Sequence, residues 1–312
     1  MKKGITALIF IGCSLLFAQI RLGILNGPSC IPSAYLLDNV LSVEGEELET
    51  ENFASAQTLT AKLLKDEIDI GFLPPNVAAI CYNSNGGVIC TAITGTGNLS
   101  LITKNSAVRK LSDLNGKTVY VAGAGATPEY MLRYLLKKNK IQQDSKDGVS
   151  LDFSIPTQQL AAMLISGKIE YAVVPEPFAT VACMKDPEII KAIDLQAEYE
   201  KLEGPNQTYP LTVMVVSKKF AHNKTATLNK FLQLYEESYE WTMDNGLDAG
   251  LLCEQLDLGL KANVVSNSIP YANYTFIPGR DGKKQLEKLF KIFSDNDPKS
   301  IGGKLPDKNF YY

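Results

Sequence analysis

Asp69-Ile70-Gly71-Phe72-Leu73-Pro74-Pro75-Asn76 is the stretch on which the fold turns. An apolar run of strand length is stopped by two prolines, and a helical pattern resumes at once over 76–82. A strand that runs straight into a helix is half of a β-α unit. The same unit recurs on both sides. Upstream, 20–25 is an apolar run closed by the turn cluster Asn26-Gly27-Pro28-Ser29. Next, 32–41 has helical spacing, with Pro32 at a tolerated first-turn position. Residues 48–53 form a more polar strand candidate, and 56–65 carries Leu59, Leu63 and Leu64 on a helical face. Downstream, 88–93 is a fourth strand. Alternation at steps of about 20 residues predicts a mostly parallel sheet with helices on both faces.

The rhythm restarts after Thr94-Gly95-Thr96-Gly97. Strands are expected at 99–103, 118–122, 151–155 and 171–175, with helices at 128–139 and 158–166. The second unit spans 97–217 and is left through 211–217. The remainder reads as helical: 225–245, 248–260, and 283–294 with Leu286, Leu289, Phe290 and Phe293 on one stripe. The expected fold class is α/β, with two lobes joined by two crossovers. The first lobe holds 19–96 and the helical 218–312, and the second holds 97–217.

Composition agrees with a globular chain. Of 312 residues, 45% are hydrophobic and 21% charged, which excludes a disordered tail and a polytopic membrane protein. Net charge is −3 and no Lys/Arg block appears, so nucleic-acid binding is not expected. His222 is the single histidine. A multi-His metal site is thereby excluded, and His222 itself follows Lys218-Lys219 on a polar stretch that reads as surface.

Residues 1–18 read as a secretory signal: Met1-Lys2-Lys3 is basic, and an apolar run extends from Gly4 to Ala18. Cleavage after Ala18 is the favoured outcome. A second reading takes Phe10-Ile11-Gly12-Cys13 as a loose lipoprotein box with Cys13 lipidated, although the segment after Cys13 is mostly apolar, where a tether is normally polar. Five cysteines then remain, Cys30, Cys81, Cys90, Cys183 and Cys253, with no C-x-x-C pair. Buried free thiols are favoured over a Cys81–Cys90 bridge.

In open α/β sheets, ligands sit beyond the carboxyl ends of strands. The loops there are Asn26-Gly27-Pro28-Ser29, Pro74-Pro75-Asn76, Gly95-Thr96-Gly97, 123–127, Pro156-Thr157-Gln158 and Pro175-Glu176-Pro177. They offer Gly, Pro, Ser, Thr, Asn and Gln, one acid, and no Lys, Arg, His or Cys. That is the inventory of a binding cleft rather than of acid–base catalysis. Gly123-Ala124-Gly125-Ala126-Thr127 lacks the third glycine of a dinucleotide loop, and no P-loop is present. For Glu176 two readings stay open: a carboxylate facing the cleft, or a helix N-terminal residue complementing the dipole. Tyr209-Pro210 likewise reads as an aromatic cleft wall or as packing.

Several motifs, taken in order, carry a family resemblance: the secretory signal, 69–76, Leu114-Asn115-Gly116-Lys117-Thr118-Val119, Val174-Pro175-Glu176-Pro177-Phe178 and Tyr209-Pro210-Leu211-Thr212-Val213. Together they resemble the periplasmic substrate-binding proteins of ABC importers, and within them the nitrate/sulfonate/taurine and thiamine-pyrimidine-like branch. The resemblance spans about residues 20–310. It implies a two-lobed hinged periplasmic-binding-protein fold of type II that closes over a small molecule. It also implies presentation of that molecule to a membrane permease, with no catalysis and no cofactor. Gly27, Pro28, Ser29, Pro75, Asn76, Thr127 and Glu176 fall where the family's cleft loops lie. With Asn26, Thr96, Gly97, Ala126, Thr157 and Tyr209 they form the candidate ligand-binding set. A monomer is expected, in the periplasm or at the outer face of the cytoplasmic membrane. The membrane is met only through the lipid anchor of the second reading.

An unpaired buried carboxylate at Glu176 would oppose a sulfonate by several kcal/mol. A neutral or nitrogen-rich heterocycle such as an aminopyrimidine is therefore expected over sulfonate or nitrate. The alternative is a pyrimidine-synthase-like or menaquinone-pathway-like enzyme on the same fold. The synthases use a cleft His and a cofactor lysine, whereas this chain has no His before His222 and begins with a secretory signal. A sensor domain ranks lower, because no transmembrane or signalling segment is seen after the domain.

Overall fold

The computed structural model describes residues 19–25, 27–145 and 147–312. The expected signal segment 1–18 with Cys13, and the candidate Asn26, lie outside the described residues.

The chain opens with strand β1 (Gln19–Leu25), a 3-10 turn Pro28–Ser33 and the short helix α1 (Ala34–Asn39). The helix expected over 32–41 is thus shorter: Pro32 and Ser33 are taken up in the 3-10 turn, and the chain is extended from Val40. Strands β2 (Ser42–Val43) and β3 (Glu46–Phe53) lead to helix α2 (Ala56–Leu64), whose first turn is capped by Ser55 Oγ accepting from Thr58 N at 3.3 Å. Strand β4 (Ile70–Leu73) is buried on both faces, as its unbroken apolar run requires. Helix α3 (Pro75–Asn85) follows with proline in its first turn and ends at Gly86 in a left-handed conformation, φ 66°. Strand β5 (Val88–Thr96) runs to the crossover, and β6 (Leu99–Thr103) begins a second sheet.

That second sheet is built from β7 (Thr118–Val121), α4 (Thr127–Lys138), β8 (Ser150–Asp152), α5 (Thr157–Ile165), β9 (Tyr171–Pro175), α6 (Phe178–Lys185), β10 (Ile190–Asp194) and α7 (Leu195–Glu203). Strand β11 (Pro210–Ser217) returns to the first sheet. Helices α8 (Lys218–Asn223), α9 (Thr225–Asp244), α10 (Gly246–Gln255) and α11 (Ala262–Ala272) precede strand β12 (Tyr274–Pro278) and helix α12 (Lys283–Asn296).

The seven-stranded sheet has order β12-β5-β11-β4-β1-β3-β2, and the five-stranded sheet has order β10-β6-β9-β7-β8. The mixed α/β fold with two sheets is as expected, but the sheets are not mostly parallel. Parallel pairing is confined to β1–β3, β1–β4, β7–β8 and β7–β9. The returning strands β11 and β12 insert against β4 and β5 in the opposite sense, and β6 and β10 run against their neighbours. The boundary drawn at 217 also moves: β11 pairs with β4 and β5, so residues 210–217 belong with the first sheet. The last third, read as helical, contains β12 as an edge strand.

Strand alternation sorts the core. On one face of the larger sheet, Ile20, Leu22, Ile70, Phe72 and Met214 pack against Phe231, Tyr235 and Val265 from α9 and α11. The opposite face carries Val213, Val215 and Leu73 against α2, α3 and α12, and this core continues into Leu101, Val121 and Leu135 of the second unit. Ile102, Ala172 and Val174 point to the far side of the smaller sheet, against α5 and α6. Helix α2 approaches very closely. Gly23 and Gly71 lie side by side in register, and a Cβ on Gly23 would fall 2.3 Å from Leu59 Cδ1. Among the described residues no helix is long and apolar enough to cross a membrane.

Candidate ligand-binding cleft

Strand direction decides which loops meet. β1 and β4 are parallel, and β5 is parallel to them through the antiparallel β11. The carboxyl ends of β1, β4 and β5 and the amino ends of β11 and β12 therefore share one sheet edge. In the smaller sheet the carboxyl ends of β7, β8 and β9 share an edge with the start of β6. Gly97-Asn98 carries the chain directly from one edge to the other. Two contacts join the edges: Asn76 Nδ2, at the start of α3, donates to Gly125 O at 2.7 Å, and Lys191 Nζ of β10 lies 3.8 Å from the centroid of the Tyr271 ring on α11.

The described candidate residues all stand on these edges, but their side chains differ in what they have left to offer. Asn76 is buried, and its Oδ1 has no partner. Thr127, first residue of α4, is buried with Oγ1 unpaired. Pro75 opens α3, Thr157 opens α5 half-buried, and Ala126 closes the turn before α4 with its N–H donating to Gly123 O at 3.0 Å. Gly27 is buried, Pro28 and Ser29 are half-buried, and Ser29 Oγ donates to Leu25 O at 3.1 Å. Thr96 is engaged within the first sheet: its N–H and Oγ1 both donate to Asn273 O, at 3.0 and 3.2 Å.

Gly97 and Tyr209 prove to be one feature. A Cβ on Gly97 would fall 2.8 Å from the Tyr209 ring, and that ring meets Tyr199 edge-on at 5.3 Å. Tyr209 is fully buried behind the crossover. Of the two readings of Tyr209, this geometry matches packing rather than a cleft wall.

Glu176 is buried, but it is not unpaired. Its Oε1 accepts from Lys191 Nζ and its Oε2 accepts from Thr180 N at 3.1 Å, in the first turn of α6. Lys191 also donates to Thr180 Oγ1 at 3.3 Å. The charge that would have opposed an anionic ligand is thus compensated in place, and the expectation built on an unpaired carboxylate loses its premise. Lys191 escaped the sequence reading because its partner lies fifteen residues upstream on another element. A signal was present: Ile189-Ile190-Lys191-Ala192-Ile193 places one lysine inside an apolar run.

Further groups appear only in three dimensions. Ser33 Oγ, Thr94 Oγ1, Asn98 Oδ1, Tyr235 OH and Tyr274 OH are buried without a hydrogen-bond partner. Thr94 and Tyr235 face each other without good hydrogen-bond geometry. Burial pushes the Tyr274 hydroxyl well above its ordinary pKa, and Cys30, Cys253, Glu176 and Tyr235 lie close enough to raise it further. An unpaired buried polar group costs about 1–3 kcal/mol. A cluster of them at facing sheet edges marks where a hydrogen-bonding molecule would recover that cost. Asn98 and Asn273 brace the crossover beside them, Asn98 Nδ2 donating to Ala272 O at 3.0 Å and Asn273 Nδ2 to Gly97 O. All five cysteines from Cys30 to Cys253 are free thiols, Cys81 and Cys90 included. No cluster of His, Cys, Asp or Glu able to hold a metal occurs among the described residues.

No curated protein matches the chain in sequence. Solved structures share its fold. An ABC transporter protein from Parabacteroides distasonis superposes with a TM-score of 0.79 at 22% identity, over 95% of this chain and 99% of that one. The periplasmic aliphatic sulphonate binding protein SsuA of Escherichia coli gives 0.71 at 14% identity, over 94% and 92%. The periplasmic nitrate-binding protein NrtA of Synechocystis PCC 6803 gives 0.66 at 11%, over 92% and 84%. At these identities the likeness establishes the architecture alone. The sequence model of the NMT1-like family matches residues 19–250, and the chain is a member of the NMT1-like family.

Proposed function

We propose that this chain is an extracytoplasmic solute-binding protein that closes two lobes over a small molecule and delivers it to the permease of an ABC importer. The lobes are the larger sheet with its helices (19–97 and 210–312) and the smaller sheet with its own (98–209). Residues 1–18 would direct export, with cleavage after Ala18. The observation that carries the reading is the cluster of buried, unpaired hydroxyl and amide groups at the facing edges. Groups of this kind hold a ligand by hydrogen bonds and offer no nucleophile–base pair. Family membership and the folds of the sulphonate- and nitrate-binding proteins support the same reading.

For the ligand we keep the neutral or nitrogen-rich heterocycle, now on different grounds. Asn76, Thr94, Asn98, Thr127 and Tyr274 are neutral donors and acceptors, and the Glu176–Lys191 pair adds no net charge. Native mass spectrometry of freshly purified protein tests the binding role, with a co-purified small molecule as the expected result. A thermal-shift series tests the class: aminopyrimidines should raise the melting temperature and taurine or nitrate should not. Stabilisation by taurine alone would overturn the ligand class, and turnover of a bound compound would overturn the binding role. Thr127→Val should weaken binding about tenfold, the loss expected for one buried hydrogen bond.

A further inference from the structure

Away from the cleft, a cavity of about 500 Å³ opens between the carboxyl-terminal half of α4 and helix α12. Five lysines line it: Lys137, Lys138 and Lys140 from α4 and the turn after it, and Lys288 and Lys291 from α12. Two of these are compensated. Lys288 pairs with Glu203 at 2.7 Å, and Lys291 reaches Asp295 at 3.3 Å. Lys138 lies over the Tyr134 ring at 5.4 Å. Lys137, Lys138 and Lys140 have no acidic partner within 4 Å among the described residues. A chain of net charge −3 therefore gathers three lysines without an ion pair into one concavity, where five lysines face a single lining carboxylate, Asp295.

The carboxyl end of α4 accounts for part of this. Lys137 and Lys138 sit in its last turn, where cations complement the helix dipole. The dipole does not account for Lys140, which lies beyond the helix, or for the two lysines facing it from α12. The helices meet through a fixed contact, Tyr130 on α4 standing edge-on to Phe293 on α12 at 4.6 Å. The cavity walls are thus set by packing. Both oxygens of Glu203, beside the cavity, are occupied, one by Tyr134 OH and the other by Lys288, and the one carboxylate in the lining, Asp295, is engaged by Lys291. Low-dielectric walls focus the field of such a cluster. The volume lies in the range of small-molecule sites.

We propose that this cavity binds a small multivalent oxyanion of the polyphosphate type, held by Lys137, Lys138 and Lys140 as point charges. The site shares no residue with the cleft, so its outcome is separable from the solute-binding reading. Isothermal titration of the purified protein with tripolyphosphate at low ionic strength should give saturable binding at one site, weakening steeply as salt is added. Lys137→Glu combined with Lys140→Glu should cut the affinity at least tenfold. Both residues are exposed and free of ion pairs, but Lys137→Glu opposes the dipole of α4 and should lower the melting temperature slightly. Lys137→Gln with Lys140→Gln adds no negative charge and should weaken binding while the melting temperature holds. Lys65→Glu, an exposed lysine elsewhere, should leave binding unchanged. Three results would each overturn the proposal: no saturable heat, an affinity indifferent to both double variants, or an equal loss from Lys65→Glu. Binding to vesicles of anionic phospholipid without binding of free tripolyphosphate would overturn it too, assigning the lysines to a membrane surface instead.

Discussion

At Gly97 the absence of a side chain is a condition of the fold. A Cβ there would lie 2.2 Å from Gln196 Oε1 and 2.8 Å from two carbons of the Tyr209 ring. Gln196 can move its amide only by giving up its bonds to Gln207 O and Thr208 Oγ1, and Tyr209 is buried and wedged against Tyr199. Gly97→Ala should cost about 1–3 kcal/mol, as overpacking does, read as a lower midpoint in urea denaturation. The thiols give a second residue-scale prediction. Burial pushes Cys30 and Cys81 up to about 11 and Cys90 up to about 12, and Cys253 is raised further. Cys183, also raised, is the only one of the five that is not buried. A thiol-exchange reagent at pH 8 should label Cys183 first, and Cys183→Ser should abolish the fast phase. The same scale shows what a sequence hides. Glu176 was legible as a carboxylate set between prolines beside a helix start, and its Oε2 does accept from Thr180 N in the first turn of α6. Its partner Lys191 was not legible, because the pairing exists only once β10 lies beside β6. Thr94, Tyr235 and Tyr274 went unseen for a similar reason: a polar residue in an apolar stretch reads as ordinary until its neighbours are known.

Elements were readable in proportion to the contrast of their burial. β6 and β9 fall on the residues expected, because each is a short, wholly or almost wholly buried run bounded by turns. Helix α12 was read from its stripe, and the structure buries Leu286, Leu289, Phe290 and Phe293 as that stripe implies. Phe293 is fully buried against Tyr130 of α4, so Phe293→Ala should lose about 3–5 kcal/mol and loosen both helices, measured by denaturation and by hydrogen exchange in α4. The missed elements lack such contrast. Phe178-Ala-Thr-Val-Ala-Cys-Met-Lys185 is apolar on every side, so α6 shows no stripe. β10 and β12 are half-exposed edge strands, and α11 carries Pro270 within it. The glycines of β1 and β4 were also uninformative alone. Only the register that sets Gly23 beside Gly71 reveals the seat for Leu59, and Gly23→Val should therefore destabilise more than Gly71→Val.

At the scale of the molecule, the two-sheet plan was legible from the repeated β-α rhythm, but the sense of each strand pairing was not. Whether β11 completes the second sheet or returns to the first depends on contacts with β4 and β5, more than a hundred residues upstream. The two sheets are tied on the side away from the cleft by Glu203 at the end of α7, which takes Lys288 of α12 on one oxygen and Tyr134 of α4 on the other. Burial alone would raise the Glu203 carboxyl, but the hydrogen bonds from Lys288 and Tyr134 outweigh it, and its pKa ends below the ordinary glutamate value. A carboxylate lowered on folding adds stability that is complete above its unfolded pKa, about 4.3, and is lost as pH falls through the lower folded value. The tie should therefore hold from neutral pH down to about 4.5 and weaken below about 4. Glu203→Gln removes the charge at every pH. The variant should be less stable than the parent at pH 7, and its loss of stability on acidification should be shallower. Urea midpoints measured from pH 7 to pH 3 would show the two curves converging at the acid end. Parallel curves would mean that Glu203 contributes packing but no charge to the joint between the sheets.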